Sequence, residues 1–259
     1  MAGAGAARAD KACSVGPLDP SWSCADIVVI GETHDNPDHH TFQAFVLNSA
    51  APVAVVFEML SPEQVRAAAG IDRLNNTYAL GDAFGWEAAG WPDFAIYAPV
   101  FAAAPYATLV GAAVPPAQIS AALEIGAADV FGPDAAAYGL SPLDPADQLA
   151  REAEQAAAHC GALPPEMLAG MVEVQRLRDA HFARVTLQAF DIFGGPVVLI
   201  TGTGHARNDI GVPAAIRRAR PEVQVWAIGQ FETTQNDAPF DTTNITPPMV
   251  RPDPCLAFQ

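Results

Sequence analysis

The sequence predicts an α/β protein with a mainly parallel central sheet, flanked by helices and carrying a helical insertion. Three observations lead there. Five short apolar runs recur along the 259 residues; each is continuously rather than alternately hydrophobic; and helix-like stretches separate them. Continuous hydrophobicity is what a strand buried on both faces requires, and helical crossovers are what parallel strands require. At this length the chain fits one large domain with a sizeable insertion.

The first run, "DIVVIG" at 26–31, is followed by Asn36-Pro37, an N-cap with proline at the first helical position, which opens a helix through about Asn48. The second run is "VAVVFE" at 53–58. From about 62 to 105 the pattern turns helical and aromatic, with Phe84, Trp86, Trp91, Phe94, Tyr97 and Phe101. The third run, "ATLVGAA" at 107–113, leads into "PPAQISAALEIGA", a short helix opened by prolines and closed near a glycine. Pro145 to Phe190 is largely helical, broken at Cys160-Gly161 and restarted by Pro164-Pro165. "VVLITG" at 197–202 and "VQVWAIG" at 223–229 complete the strands. The organisation expected is an N-terminal extension (1–25), an α/β domain (26–235) with helical insertion at roughly 62–105 and 140–190, and a C-terminal tail (236–259).

With 29 acidic residues against 13 Lys plus Arg, the formal charge is −16, so a nucleic-acid partner would be repelled over most of the surface. Lys11 is the one lysine, which leaves anionic ligands to arginines or to backbone N–H groups. No segment reaches the roughly 20 uninterrupted apolar residues of a membrane span. The start "MAGAGAARADKACSVGP" lacks the apolar core of a signal peptide. Cys13, Cys24, Cys160 and Cys255 have no C-x-x-C spacing and read either as buried thiols or as two disulfides. In the second case the compartment is oxidising, and a Cys13–Cys24 bridge would contribute roughly 3 kcal/mol.

The chemistry concentrates in "IGETHDNPDHH" at 30–40. Its G-x-x-H (Gly31 to His34) is echoed by Gly202 to His205 after the fourth run. In a parallel sheet both histidines emerge at the same edge, where open α/β sheets bind ligands, and Glu58 ends another run there. One such histidine is ordinarily structural. Two at equivalent strand ends, with Glu32 and Glu58, make a carboxylate and imidazole cluster suited to general acid–base work, or to a metal held by His34, His205 and Glu32.

His39 and His40 are adjacent on a helix and point about 100° apart, so one of them is expected to be solvated. The spacing does not match an H-E-x-x-H zinc helix. On the helix after Pro164, Gln175, Arg178, Asp179 and Phe182 share a face, which is either a solvated Arg–Asp surface or a pocket lining. There is no G-x-S-x-G nucleophile motif, and "GTG" at 202–204 is too short for a dinucleotide fingerprint. The aromatic stretch is ordinary core by default, yet Tyr78, Tyr97, Tyr106 and Tyr138 beside Trp and Phe also suit a planar apolar ligand such as haem.

Taken in order, "IGETHDNPDHH", "VVFEML", "GWPDFAIYAPVF", "RLRDAHFA" and "ITGTGHARNDIGVP" resemble the ChaN-like haem-binding uptake proteins of the Tiki/TraB and erythromycin-esterase-like (EreA-like) superfamily, from about Asp26 to Gly229. The resemblance implies a parallel α/β core with a helical insertion, a bacterial envelope location and a part in iron or haem acquisition. It also implies that Glu32, His34, Glu58 and His205 match the site residues of hydrolytic relatives. Cys13 departs from it, lacking the surroundings of a lipidation site. The expectation is a periplasmic haem-binding protein whose leader has been removed, dimeric and served by outer-membrane uptake machinery. Haem would be held by a histidine or by Tyr97, its propionates by Arg73, Arg178 or Arg207, with Asp179 lining the pocket. The alternative is a hydrolase, with or without a divalent metal, using the His/Glu cluster.

Overall fold

The computed structural model describes residues 20–253, 255 and 256. Strands and helices alternate as β1 (Ile27–Glu32), α1 (Pro37–Ala50), β2 (Ala54–Phe57), α2 (Pro62–Ala67), α3 (Ala79–Phe84), α4 (Phe94–Ala103), β3 (Thr108–Gly111), α5 (Pro116–Ile125) and α6 (Ala127–Phe131). They continue as α7 (Pro145–Ala158), α8 (Pro165–Phe193), β4 (Val197–Gly202), α9 (Val212–Ala219), β5 (Val225–Phe231) and β6 (Thr242–Ile245). Among the described residues the strands form one all-parallel sheet in the order β3-β2-β4-β1-β5-β6.

The continuous apolar runs are explained by two cores, one on each face of the sheet. Val28, Ile30, Val55, Phe57, Val198 and Ile200 pack under α1 and the aromatic segment, with Trp86, Tyr97 and Phe101 wholly buried. The alternate residues Ile27, Val29, Ala54, Val56, Val197 and Leu199 pack against Phe182, Leu187 and Phe190 of α8 and Ile216 of α9. Neither face of the central strands meets water.

Prolines mark the first turns of α1, α2, α5, α7, α8 and α9, where a missing N–H leaves no bond unmade. Asn36 caps α1 by accepting from the Asp38 N–H at 2.9 Å. The stretch read as helical from 62 to 105 is three short helices, α2 to α4; the break between α3 and α4 holds Gly85 and Gly90, whose φ angles of 59° and 79° favour glycine.

One feature lay outside the sequence reading. The residues expected to be a tail contribute β6, which pairs with β5 through Ile228↔Thr242 to Phe231↔Ile245. Of the two readings of the cysteines the disulfide one holds for Cys160, just after α7, and Cys255, 95 residues later, and their bond fastens the tail covalently. Cys24 is disulfide-bonded too; Cys13, its expected partner, lies outside the described residues.

Candidate functional site

Because β4 lies between β1 and β2, their carboxyl ends are neighbours: Glu32 sits beside Gly202 in register, and Glu58 follows directly on β2. The chain leaves β4 through a short 3-10 turn, Thr203–Ala206, which carries His205. That exit needs Gly31 opposite, since a side chain there would come within 2.7 Å of the Thr203 backbone.

Glu32 is fully buried and takes three hydrogen-bond donors, with a second imidazole close by. Its Oε1 accepts from the Tyr97 hydroxyl at 2.5 Å and from His34 Nδ1 at 2.7 Å. Its Oε2 accepts from the Gln43 amide at 2.5 Å and lies 3.4 Å from His40 Nδ1. Burial alone would raise its pKa, but the hydrogen bonds and charges of His34 and His40 hold it well below the usual carboxylate range.

His40 is surrounded by acceptors, with Nε2 on the His34 carbonyl at 3.0 Å and Nδ1 on the Gln43 amide oxygen at 3.0 Å. With Glu32 alongside, that environment suits an imidazolium. Burial opposes the charge, but these contacts outweigh it and raise the pKa. His39 is the opposite case. Its Nδ1 accepts from the Thr33 N–H at 2.8 Å, which puts the proton on a buried Nε2 with no partner among the described residues. Burial, then the neighbouring His40, lowers its pKa. The expectation that one of this pair is solvated therefore fails. Both are buried, because α1 begins between the aromatic core on one side and the ends of β1 and β5 on the other.

On the other side of Gly202, His205 Nδ1 donates to Asp179 Oδ1 at 2.7 Å, with the Gln175 amide 3.0 Å from the same nitrogen and Phe182 edge-on to the ring. The long α8 thus delivers Gln175, Asp179 and Phe182 together to the strand ends. His205 is raised: burial works against its charge, but Asp179 and Glu58 on either side prevail. Asp179 is raised as well, by burial. Glu58 is held down; burial is outweighed by the charges of His205 and His34 and by bonds to its Oε2 from the Thr201 hydroxyl (2.6 Å) and the Gly202 N–H (2.8 Å).

His34 and His205 therefore share one arrangement, Nδ1 anchored on a carboxylate and Nε2 left over, the second-layer pattern that orients ligand-holding imidazoles. Their free nitrogens and Glu58 approach the bare face of Gly202. A Cβ placed there would lie 3.4 Å from His34 Nε2, 3.8 Å from Glu58 Oε2 and 3.9 Å from the His205 ring. His205 Nε2 stands 3.8 Å from Glu58 Oε1, beyond a hydrogen bond. The His34 side chain is 32% exposed, and its ring lies 5.0 Å from that of Trp91, so this point opens to the outside beside a flat indole wall.

Among the described residues, no group of three or more His, Cys, Asp or Glu side chains is arranged to hold a metal ion. The expected trio of His34, His205 and Glu32 is not assembled, because both Glu32 oxygens are filled by other donors. Of the expected ligand-binding residues, Tyr97 is in the cluster with its hydroxyl committed to Glu32. Burial, then the Glu32 charge, pushes its phenol far above the ordinary tyrosine value. Arg207 is taken by Asp209 and Glu154, at 2.8 Å and 3.1 Å. Arg73 reaches the Ala107 carbonyl, at the start of β3 and away from the cluster. Arg178 is half-buried, near enough for its charge to act on His205, and has no ion pair among the described residues. Gln43 and Thr201 were missed in the sequence. For Gln43 the available signal was its position three residues after His40 on the same helix.

The architecture and the site define an α/β protein with an anchored pair of imidazoles at the carboxyl edge of a parallel sheet. The chain belongs to the haem-binding uptake family of the Tiki superfamily, ChaN, whose model matches residues 20–216. A solved structure titled for cofacial haem binding to ChaN of Campylobacter jejuni has the same fold, with a TM-score of 0.61 and 19% identity over 85% of this chain and 87% of that one. The type III effector HopBA1 is a more distant match, at TM-score 0.39 and 15% identity over 80% of this chain and 78% of that one. No curated protein sequence matches.

Proposed function

We propose that this chain binds haem as cargo at the opening beside Gly202, with His34 presenting its Nε2 to the iron and Arg178 taking a propionate. The observation that carries this reading is the state of His34. Its Nδ1 is fixed by Glu32 at 2.7 Å and its Nε2 makes no hydrogen bond among the described residues, while the ring is exposed beside Trp91. A carboxylate behind the far nitrogen increases the basicity of a metal-binding imidazole. The group fits these residues: one anchored imidazole, one flat wall and one uncommitted guanidinium. Membership of a haem-uptake family supports the reading.

In the same proposal the protein works outside the cytoplasm, in the bacterial periplasm, as a dimer that passes haem to or from uptake machinery. The Cys160–Cys255 disulfide supports an oxidising compartment. Among the described residues no helix is long and apolar enough to cross a membrane.

The test is a haemin titration followed by Soret absorption. Wild type should saturate at about one haem per chain, and His34→Ala should lose the shifted band. A His34→Ala variant that binds with wild-type affinity and an unchanged spectrum would remove His34 from the site.

A further inference from the structure

Behind the Asp179–His205 pair, on the side away from Gly202, lies a second cavity of about 100 Å³ between α7, α8 and α9. Arginines from all three helices line it: Arg151, Arg176 and Arg218. Three of the 13 basic residues of a chain with net charge −16 are thus gathered around one small space.

Carboxylates stand in the same lining, and the charges of Asp179, Asp147 and Glu154 act on Arg151, but none of them forms a close ion pair with Arg151 or Arg218 among the described residues. Asp179 is committed to His205 at 2.7 Å. Asp209 has one oxygen on each arm of Arg207, at 3.0 Å and 2.8 Å. Asp147 stands exposed in the first turn of α7. Arg176 is itself structural, tied to Glu173 and to the carbonyls of Gly139 and Ser141. Arg151 and Arg218 are different: among the described residues neither makes a hydrogen bond or an ion pair. Burial, then the nearby Arg176, bears against the protonated form of Arg151. The site is also shaped for Arg218, whose Cδ would be 3.0 Å from a Cβ at Gly139; the bare glycine lets the stem lie across it.

We propose that this cavity is a binding site for a small oxyanion of the size of phosphate, held by Arg151 from α7 and Arg218 from α9. The volume supports the class of ligand. At about 100 Å³ the space is smaller than the roughly 300 to 1,000 Å³ of sites for drug-sized ligands and suits a small anion better than a porphyrin. Two guanidiniums without a close ion pair, half-buried Arg151 and exposed Arg218, line the same space from separate helices and match the charge-assisted and bidentate bonding that such an anion accepts. The site stands apart from the proposed haem opening and does not rest on haem binding.

The experiment is calorimetric titration of the full chain with inorganic phosphate at constant ionic strength, paired with thermal unfolding in the same series. Wild type should bind saturably and melt at a higher temperature with phosphate. Arg151→Gln and Arg218→Gln should each weaken binding tenfold or more while melting like wild type in phosphate-free buffer. Asp147→Asn, which removes a carboxylate from the lining and keeps both arginines, should tighten binding. No saturable binding to wild type at millimolar phosphate would overturn the proposal, as would undiminished binding by the Arg151→Gln, Arg218→Gln double variant. Should that double variant not fold, unchanged or weaker binding by Asp147→Asn would overturn it instead.

Discussion

Tyr97 donates its hydroxyl hydrogen to Glu32 at 2.5 Å across 65 residues of sequence, joining α4 to the end of β1 inside the core. The bond is one of three hydrogen bonds onto a buried carboxylate, so removing it leaves a charge less well compensated. Tyr97→Phe should destabilise the fold by about 2 kcal/mol, in the range for hydrogen bonds to charged groups, measured by urea denaturation. The same variant should keep its haemin-induced Soret shift. Loss of that shift in a folded Tyr97→Phe protein would move the iron-facing role from His34 to the phenol.

Gly202 is the floor of the opening, and its φ of −60° is one that any residue adopts. Gly202→Ala should therefore fold normally, within about 1 kcal/mol of wild type. Its methyl group would occupy the space between His34, Glu58 and His205, and haemin affinity should fall at least tenfold. Unchanged affinity would place the ligand elsewhere.

The clamp on Arg251 predicts a pH dependence. Arg251 bonds Asp35, at 2.8 and 2.9 Å, and Glu232, at 2.7 and 2.6 Å, holding the C-terminal segment against the start of α1. The Arg251 bonds, against a smaller opposing effect of burial, pull Glu232 from its ordinary 4.5 down to about 2. A folded pKa below the unfolded one contributes stability above pH 4.5, lost as pH falls through about 2. Wild type should thus be more stable than Glu232→Gln at neutral pH, and the gap should close over that window. A gap that does not change with pH would show that the clamp contributes through packing alone.

Reducing the Cys160–Cys255 bond should also be felt. A closed loop of 95 residues corresponds to about 4.7 kcal/mol of lost chain entropy in the unfolded state. A Cys160→Ser, Cys255→Ser double variant should show a lower urea midpoint, and wild type with reductant, which also opens the Cys24 disulfide, should fall at least as low. A midpoint within error of the oxidised protein would mean that the tail is held by β6 and Arg251 alone.

Five of the strands were legible because both faces of the sheet are covered, which forces continuous apolar runs. β6 was not: Thr242, Thr243, Asn244 and Ile245 lie at the edge, half-buried and exposed by turns, so their composition is that of a loop. The G-x-x-H echo and Glu58 pointed to one edge of the sheet because parallel strands end on the same side. The partners of those residues depend on packing that local sequence does not encode. That Tyr97 meets Glu32 requires knowing that α4 lies against α1. Likewise His39 and His40 are both buried because two different elements close on α1, whereas a helical wheel assumes one wet side. Arg207 looked available for an anionic ligand, and only the fold brings Glu154 from α7 to occupy it.

The Cys160–Cys255 bond has a mechanical consequence. Tension applied at the C-terminus passes from Cys255 directly to Cys160, at the turn between α7 and α8. The residues between them (161–254), which include β4, β5 and β6, lie off the line of force. At about 3.5 Å per extended residue, roughly 330 Å of contour length stays hidden until the bond is reduced. A pulling experiment with and without reductant would read the difference directly as a change in extension, and so would a translocase threading this chain from its end.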